Sequence, residues 1–412
     1  MSRGTRRQFI GSVGSVAATT VPAPRVMGAG GSPSARRKSP RIIDDLSKLE
    51  AQAEKALEPE AWAYIVASAG DGATARANAK AFDKWRVVPT RRMVQRKSGK
   101  RVRADLSTSI LGTRMPAPVL FAPVGVQTLA HPRGELATAR AASDMDLTYV
   151  HSTQGAYSME EVAAASGNGS RWYQLYWPND DELCVSFLQR ARAAGYTYLV
   201  ITLDTTLLGW RPADLDRGYL PFLRNLGIAN YTSDPVFQRR LRKPPDEDPV
   251  AAGIAFATAF LNPGLSWDQL PLIRENWDGP ILLKGIQSVG DARRAVKEGI
   301  DGVVVSNHGG RQIDGAVASL DALPAIAEAV GTRLSVLFDS GIRTGRDAFK
   351  ALALGADAVL IGRPYVYGLA LGGRAGTKHV MRTLLAELKQ TLARAGYASH
   401  RNLSRASLTR VR

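Results

Sequence analysis

A (β/α)8 barrel, preceded by a helical cap and interrupted by one long lid segment, is the fold this sequence predicts. Two observations carry the prediction. Eight short apolar runs recur from residue 119 onward, and amphipathic helical stretches of about a dozen residues lie between them with no second topology intervening. An open doubly wound sheet is the alternative that the same alternation allows.

At the N-terminus, Thr5-Arg6-Arg7-Gln8-Phe9-Ile10 precedes a mild Gly/Ser/Ala-rich apolar stretch that runs to Ala23. This is similar to a twin-arginine export signal, which carries proteins already folded around a cofactor to the periplasm. The competing reading is a disordered basic tail on a cytoplasmic protein. Residues 24–40, rich in Gly, Pro, Ser and Arg, read as a linker without a core. The division expected is therefore 1–41 as signal and linker and 42–412 as one folded domain, its barrel core at about 117–375.

Helical patterns at 44–57 and 60–69 form the cap, and a basic, turn-rich stretch then reaches Met115. The eight apolar runs follow at 119–123, 148–151, 172–176, 198–203, 281–283, 302–305, 335–338 and 358–361, with helix candidates at 134–143, 180–194, 289–298, 323–330 and 345–354. The connection 205–279 is far longer than a strand-to-helix loop requires. Its Pro244-Pro245-Asp246-Glu247-Asp248-Pro249 tip suits a lid, and its Trp210, Tyr219, Phe222 and Tyr231 are expected to pack on the barrel rim.

Charge and cysteine narrow the function classes. The net charge of +17 is concentrated at the edges: residues 1–41 carry eight Lys or Arg and no acid, and the tail from Ala393 carries five Arg and no acid. A further basic cluster runs from Lys84 to Arg103. No stretch interleaves basic with aromatic residues, which argues against a nucleic-acid groove. No stretch after the N-terminal one reaches the ~18 apolar residues a spanning helix needs, so no stable membrane insertion is expected. The one cysteine, Cys184, excludes an intrachain disulfide and reads as a buried inert thiol. His131, His151, His379 and His400 lack metal-ligand spacing, so no metal site is expected.

Chemistry collects where the runs end. Gln174, Tyr176, Thr202, Asp204, Lys284, Ser306, His308, Asp339 and Arg363 stand at or just after them, and in a barrel those ends surround a single mouth. The last two units supply Asp339-Ser340-Gly341-Ile342-Arg343 and Gly362-Arg363, glycines beside arginines where barrels hold phosphate. In Ser306-Asn307-His308-Gly309-Gly310-Arg311 an imidazole able to take a proton lies close to a guanidinium able to clamp a carboxylate. A lone histidine at a strand end is more often structural; Asp204 and Arg311 tip the balance toward catalysis.

These pieces resemble the FMN-dependent 2-hydroxy acid oxidase family over about residues 42–408, in family order: Tyr64 within Tyr-Ile-Val-Ala-Ser-Ala-Gly-Asp, Ala122-Pro123-Val124-Gly125, Gln174-Leu175-Tyr176, Thr202-Leu203-Asp204-Thr205, Lys284-Gly285, the His308 motif and Asp339-Ser340-Gly341-Ile342-Arg343. The resemblance implies FMN as cofactor. Pro123, Val124 and Gly125 would line the flavin N5 side, Ser152, Gln174, Thr202 and Ser306 would meet the ring, and Lys284 would neutralise it when reduced. Asp339, Gly341, Arg343, Gly362 and Arg363 would hold the ribityl phosphate end. Arg311, Tyr64 and Arg211 would bind the substrate carboxylate and Tyr176 its hydroxyl side. His308 would be the base, with Asp204 stabilising its imidazolium.

Within the family the stretches Gly209-Trp210-Arg211-Pro212, Pro221-Phe222-Leu223-Arg224 and Leu369-Ala370-Leu371-Gly372-Gly373 are similar to the lactate 2-monooxygenase subgroup. That implies L-lactate and O2 as substrates, acetate, CO2 and water as products, and a homo-oligomer, tetrameric in family members. Gly125, where oxidases commonly carry Ala, is expected to leave room at N5, and Gln154 stands where some oxidases carry an aromatic residue. The alternatives are an oxidase or dehydrogenase releasing the 2-keto acid and, from a different class, a flavin- or phosphate-binding barrel without chemistry. The intact set of Tyr64, Asp204, His308 and Arg311 argues against the last.

Overall fold

In the computed structural model of the protein, residues 42, 44–90 and 104–411 are described. The export-signal stretch and most of the basic cluster lie outside them. Eight strands, β1 (Val119–Phe121), β2 (Tyr149–Ser152), β3 (Arg171–Tyr176), β4 (Leu199–Thr202), β5 (Ile281–Ile286), β6 (Gly302–Val305), β7 (Ser335–Phe338) and β8 (Ala358–Ile361), coincide with the eight apolar runs. They pair in parallel and in chain order, and β8 pairs with β1 to close the barrel, so the open sheet is excluded.

The two-residue period of the strands divides their side chains between two layers. Leu120, Val150, Trp172, Val200, Leu282, Val304, Leu337 and Leu360, one from each strand, form a separate buried cluster that fills the barrel. Their strand neighbours, such as Phe121, Tyr149, Leu199 and Val305, join the larger core shared with the surrounding helices. The base of the barrel is plugged by an antiparallel hairpin, Thr108–Ile110 with Thr113–Met115, which adds Ile110 and Met115 to the inner cluster. The Thr113 hydroxyl donates to that of Tyr198 at 3.0 Å, and the Tyr198 hydroxyl donates to the Leu111 carbonyl.

The cap contains the two expected helices, Leu49–Glu54 and Pro59–Val66, and a third at Ala73–Ala81 within the stretch read as turns. That helix, Ala-Thr-Ala-Arg-Ala-Asn-Ala-Lys-Ala, lacks the large apolar residues from which a 3.6-residue period is read. Alanine's intrinsic preference sustains it instead. The strand Trp85–Val87 pairs with Leu408–Arg410, fastening the end of the chain to the cap. A long helix, Arg363–Arg394, kinks at Gly372 and Gly373, the glycines of one subgroup-like stretch.

The lid segment is folded, chiefly into the helices Pro212–Asp216, Pro249–Phe260 and Leu270–Asn276. Its proline-rich tip is an ordered turn: Asp248 accepts from the Ala251 amide at 3.0 Å and starts the helix behind it. Tyr219, Phe222 and Tyr231 are buried, but Phe222 and Tyr231 pack on Phe256 of the lid's own helix, at ring separations of 5.3 and 4.9 Å. Trp210 departs from expectation and is 73% exposed. Its backbone is what the fold uses, since its carbonyl accepts from the Gly70 amide at 2.9 Å. Cys184 is fully buried, and burial raises its thiol pKa, in keeping with an inert role. Among the described residues no helix is long and apolar enough to cross a membrane.

Candidate active site

A cleft opens at the C-terminal ends of the strands. It brings together Tyr64, Pro123, Val124, Gly125, Tyr176, Arg211, Lys284, His308, Arg311, Asp339, Gly341, Arg343, Gly362 and Arg363, all expected from the sequence. Asp204, Ser152, Gln174, Thr202 and Ser306 do not line it; they form the layer immediately behind.

That layer is a chain of hydrogen bonds around the barrel top. Ser152 Oγ donates to Gln174 Oε1 at 2.8 Å, Gln174 Nε2 donates to Thr202 Oγ1 at 2.9 Å, and Lys284 Nζ donates to Ser306 Oγ at 3.0 Å. Every member is buried, so each polar atom requires such a partner. Lys284 also lies 3.4 Å from Asp339 Oδ2. Burial pulls the Lys284 pKa down, but the Asp339 and Asp204 carboxylates outweigh it and hold the ammonium above its ordinary range.

His308 follows β6 with φ at +58°, left-handed backbone that is uncommon outside glycine. The turn is held by its neighbours: the His308 amide donates to Ser306 Oγ at 3.1 Å, and the Gly309 amide donates to Ser340 Oγ at 3.0 Å. The ring is fixed at both nitrogens. Nδ1 lies 2.8 Å from Asp204 Oδ1 and 3.2 Å from Thr205 Oγ1, while Nε2 lies 3.3 Å from the Tyr176 hydroxyl. Burial lowers the His308 pKa, opposed by Asp204, and leaves the ring neutral at neutral pH. For Asp204, burial acts to raise the pKa, but the charges of His308 and Lys284 and the hydrogen bonds from His308 and Thr205 more than offset it, leaving the carboxyl at about 2. A neutral imidazole against a fixed carboxylate is the arrangement of a general base. Burial raises the Tyr176 hydroxyl pKa, with the Asp204 charge adding to it, so this group remains a hydrogen-bond donor.

Arginines gather on the opposite wall. Arg311 donates to the carbonyls of Tyr64 and Ala67 at 3.1 and 2.7 Å and lies over the Tyr64 ring at 5.3 Å. Burial and the neighbouring Arg211 pull its pKa down to about 9. Arg211 donates to the Arg311 carbonyl at 3.2 Å and pairs with buried Asp214 at 3.5 Å. Two guanidinium groups beside one carboxylate, Asp214, leave an excess of positive charge in the cleft that an anionic ligand would balance.

Farther along, Arg363 opens the helix Arg363–Arg394 and donates to the Gly309 and Ala67 carbonyls at 3.2 Å each. Gly341 has φ at +93°, and a Cβ there would lie 2.5 Å from the Asn78 carbonyl oxygen. The Asn78 backbone therefore fills the place of a side chain at 341, and Gly341 lines the cleft together with Arg343, Gly362 and the start of a helix: a donor set that suits a phosphate.

Gly125 does not leave room at the flavin edge. A Cβ at 125 would lie 2.7 Å from the Gln154 carbonyl oxygen and 3.0 Å from Gln154 Cβ, so the next loop occupies the space. Sequence reasoning also missed Gln127 and Glu135. Gln127 Nε2 donates to the Val124 carbonyl and the Tyr149 hydroxyl, both at 2.9 Å, behind the β1 loop. Glu135 is fully buried, and its Oε1 accepts from the amides of Gln127 and Ala156 at 2.9 and 3.1 Å. An acid in the first turn of a helix reads in sequence as a surface complement to the helix dipole, and carries no signal of burial.

Comparison with known proteins agrees with this geometry. A sequence model of the FMN-dependent dehydrogenases matches residues 53–410. The chain belongs to that family. Among its relatives, the FMN-dependent alpha-hydroxy acid dehydrogenase qulF of Penicillium citrinum is 44% identical over 90% of this chain and 92% of its own. An L-lactate oxidase of Lysinibacillus sphaericus is 40% identical over 92% of this chain and 95% of its own. Among solved structures, that of mandelate oxidase superposes with a TM-score of 0.76 at 36% identity, covering 89% of this chain and 98% of the other. The protein is thus an FMN-dependent oxidoreductase acting on 2-hydroxy acids. The cleft fits that cofactor: the glycine and arginine cradle suits a phosphate monoester, and the buried ammonium of Lys284 suits a ring that gains negative charge.

Proposed function

We propose that the protein oxidises a short L-2-hydroxy acid, with L-lactate as the prototype, using O2 as acceptor and releasing acetate, CO2 and water. The observation that carries the oxidation is the placement of His308 between Asp204 and Tyr176 in the cleft that also holds Arg311 and Arg211. The folded lid supports the finer reading, because Leu208, Phe222 and Phe260 wall the cleft and a closed wall retains a 2-keto acid for a second step.

When bound, FMN would supply the two-electron acceptor for the oxidation at C2. The remaining work belongs to side chains. Arg311 and Arg211 take the substrate carboxylate, which balances their crowded charge. Tyr176 donates toward the C2 hydroxyl. His308 Nε2 accepts the hydroxyl proton, while its Nδ1–H, held by Asp204, fixes the tautomer and steadies the imidazolium that results. Pro123, Val124, Gly125 and Lys284 would line the ring, braced by Ser152, Gln174, Thr202 and Ser306 in the layer behind, and Asp339, Gly341, Arg343, Gly362 and Arg363 would hold the ribityl phosphate end.

The test is anaerobic mixing of the yellow holoprotein with L-lactate, followed by admission of air and product assay. Flavin bleaching and then acetate is the expected result. Pyruvate with peroxide would replace the monooxygenase by an oxidase, and sluggish reoxidation would point to another acceptor. Absence of bleaching with every short 2-hydroxy acid would refute the function.

Two further readings concern the whole protein. Residues 1–41 direct twin-arginine export, which a folded fluorescent reporter fused behind them tests by its appearance in the periplasm. A homo-oligomer forms, supported by the exposed apolar side chains Leu207, Trp210, Leu215 and Ile313, and light scattering measures its mass.

A further inference from the structure

Three groups of a short 2-hydroxy acid must be met in the cleft. The reading above assigns its carboxylate to Arg311 and Arg211 and its hydroxyl to His308 and Tyr176. What remains is the substituent on C2, and one polar side chain in the cleft remains unused. Gln154 lines the cleft, and its side-chain amide nitrogen is buried without a hydrogen-bond partner. Among the described residues lining the cleft it is the only side chain with such an atom. A buried donor left unmade is costly, which points to a partner that arrives with a ligand.

The loop carrying Gln154 is brought in by its neighbours. Gly125 does not have positive φ, so glycine there is not required by the backbone. It is required by proximity, because the Gln154 carbonyl stands where a Cβ would be. On the lid side, Gly227 makes a similar approach, its missing Cβ lying 3.1 Å from the same carbonyl. The Val126 amide donates to that carbonyl at 2.9 Å. Glu135 then staples the two loops, accepting from Gln127 on one and Ala156 on the other. Leu208, Phe222 and Phe260, which line the same cleft, are apolar.

We propose that Gly125 and Gln154 form one specificity device, in which the glycine admits the Gln154 loop and the Gln154 amide hydrogen-bonds an oxygen on C3 of the substrate. The site accordingly prefers a short L-2-hydroxy acid hydroxylated at C3 over its alkyl isostere. This rests on the reading that the cleft oxidises 2-hydroxy acids.

L-glycerate and L-2-hydroxybutyrate have the same number of non-hydrogen atoms and differ by a hydroxyl in place of a methyl. The ratio of their kcat/KM values, measured on the holoenzyme by flavin reduction, isolates that one contact. The ratio falls about tenfold in Gln154→Leu and in Gln154→Met, the size of one lost hydrogen bond. Gly125→Ala, which displaces the loop, lowers it in the same direction, and the double variant G125A/Q154L falls no further than Q154L alone. A ratio within about twofold of wild type in FMN-bearing Q154L and Q154M overturns the proposal. So does loss of FMN with the ratio unmoved, which assigns the amide to the flavin. Bleaching by L-lactate is followed in parallel: if it persists while the ratio is insensitive, only the device fails, and if no hydroxy acid bleaches the flavin, the underlying reading fails with it.

Discussion

Replacing Asp204 by Asn removes one charge and almost no volume. The carboxylate lies 2.8 Å from His308 Nδ1, and both side chains are largely buried. When His308 takes the substrate proton it becomes a cation, and Asp204 is the anion in contact with it. Unit charges about 4 Å apart at an effective dielectric near 20 attract by about 4 kcal/mol. Because that attraction exists only after the proton has moved, its loss falls on the transition state, and at about 1.4 kcal/mol per decade it predicts a decrease in kcat of about a thousandfold. KM should change little. The pH profile supplies a second sign. Asp204 raises the His308 pKa against the effect of burial, so Asp204→Asn should move the acid limb of kcat/KM to lower pH. The assay is the anaerobic rate of flavin reduction at saturating hydroxy acid, on protein whose FMN content and circular dichroism match wild type. A rate within threefold of wild type, with an unmoved acid limb, would refute the assignment of His308 and Asp204 as a base and its counter-ion.

In wild type the base must be neutral, and burial lowers the His308 pKa, so kcat/KM should hold as pH falls to the ordinary histidine value of about 6.5 and decline only below it. A decline centred above pH 7 would contradict this. Arg311→Lys keeps the charge but loses the planar fork that reaches the Tyr64 and Ala67 carbonyls, and should raise KM for the hydroxy acid by about ten- to a hundredfold in steady-state kinetics. Gly341→Ala places a methyl 2.5 Å from the Asn78 carbonyl at φ +93°, which costs about 1–3 kcal/mol. Fluorescence titration of the apoprotein should show FMN bound at least several-fold more weakly. Burial raises the Glu135 pKa, so the carboxylate is less stable folded than unfolded once pH exceeds the ordinary glutamate value near 4.5. Thermal melts of Glu135→Gln against wild type should therefore favour the variant more as pH rises from 4.5 toward neutrality, and a gap independent of pH would show that Glu135 does not titrate on unfolding.

Local chemistry in this chain is legible from the sequence wherever a residue's neighbours along the chain decide its state. The strand β6, Gly-Val-Val-Val between a glycine-ended helix and a Ser-Asn-His turn, is identifiable from its own residues, and so is the alternation that makes Leu120 and Phe121 face different layers. His308, Asp204 and Lys284 stand out because polar residues at successive strand ends share one mouth only if the strands close into a barrel. Where the local signal is weak the reading fails: the Ala-rich third cap helix has no apolar period, and the plug hairpin is held by the barrel interior it fills.

The eightfold strand-helix order, the set of side chains at the strand ends and the glycine-arginine pairs after β7 and β8 follow from periodicity or from adjacency in the chain. Which of those groups touch depends on packing. It placed Ser152, Gln174, Thr202 and Ser306 behind the cleft, buried Glu135 between two loops, left Trp210 in solvent and filled the space beside Gly125 with Gln154. These outcomes depend on contacts between residues far apart in the chain, and burial and shielding are properties of the packed whole that no local stretch of sequence carries.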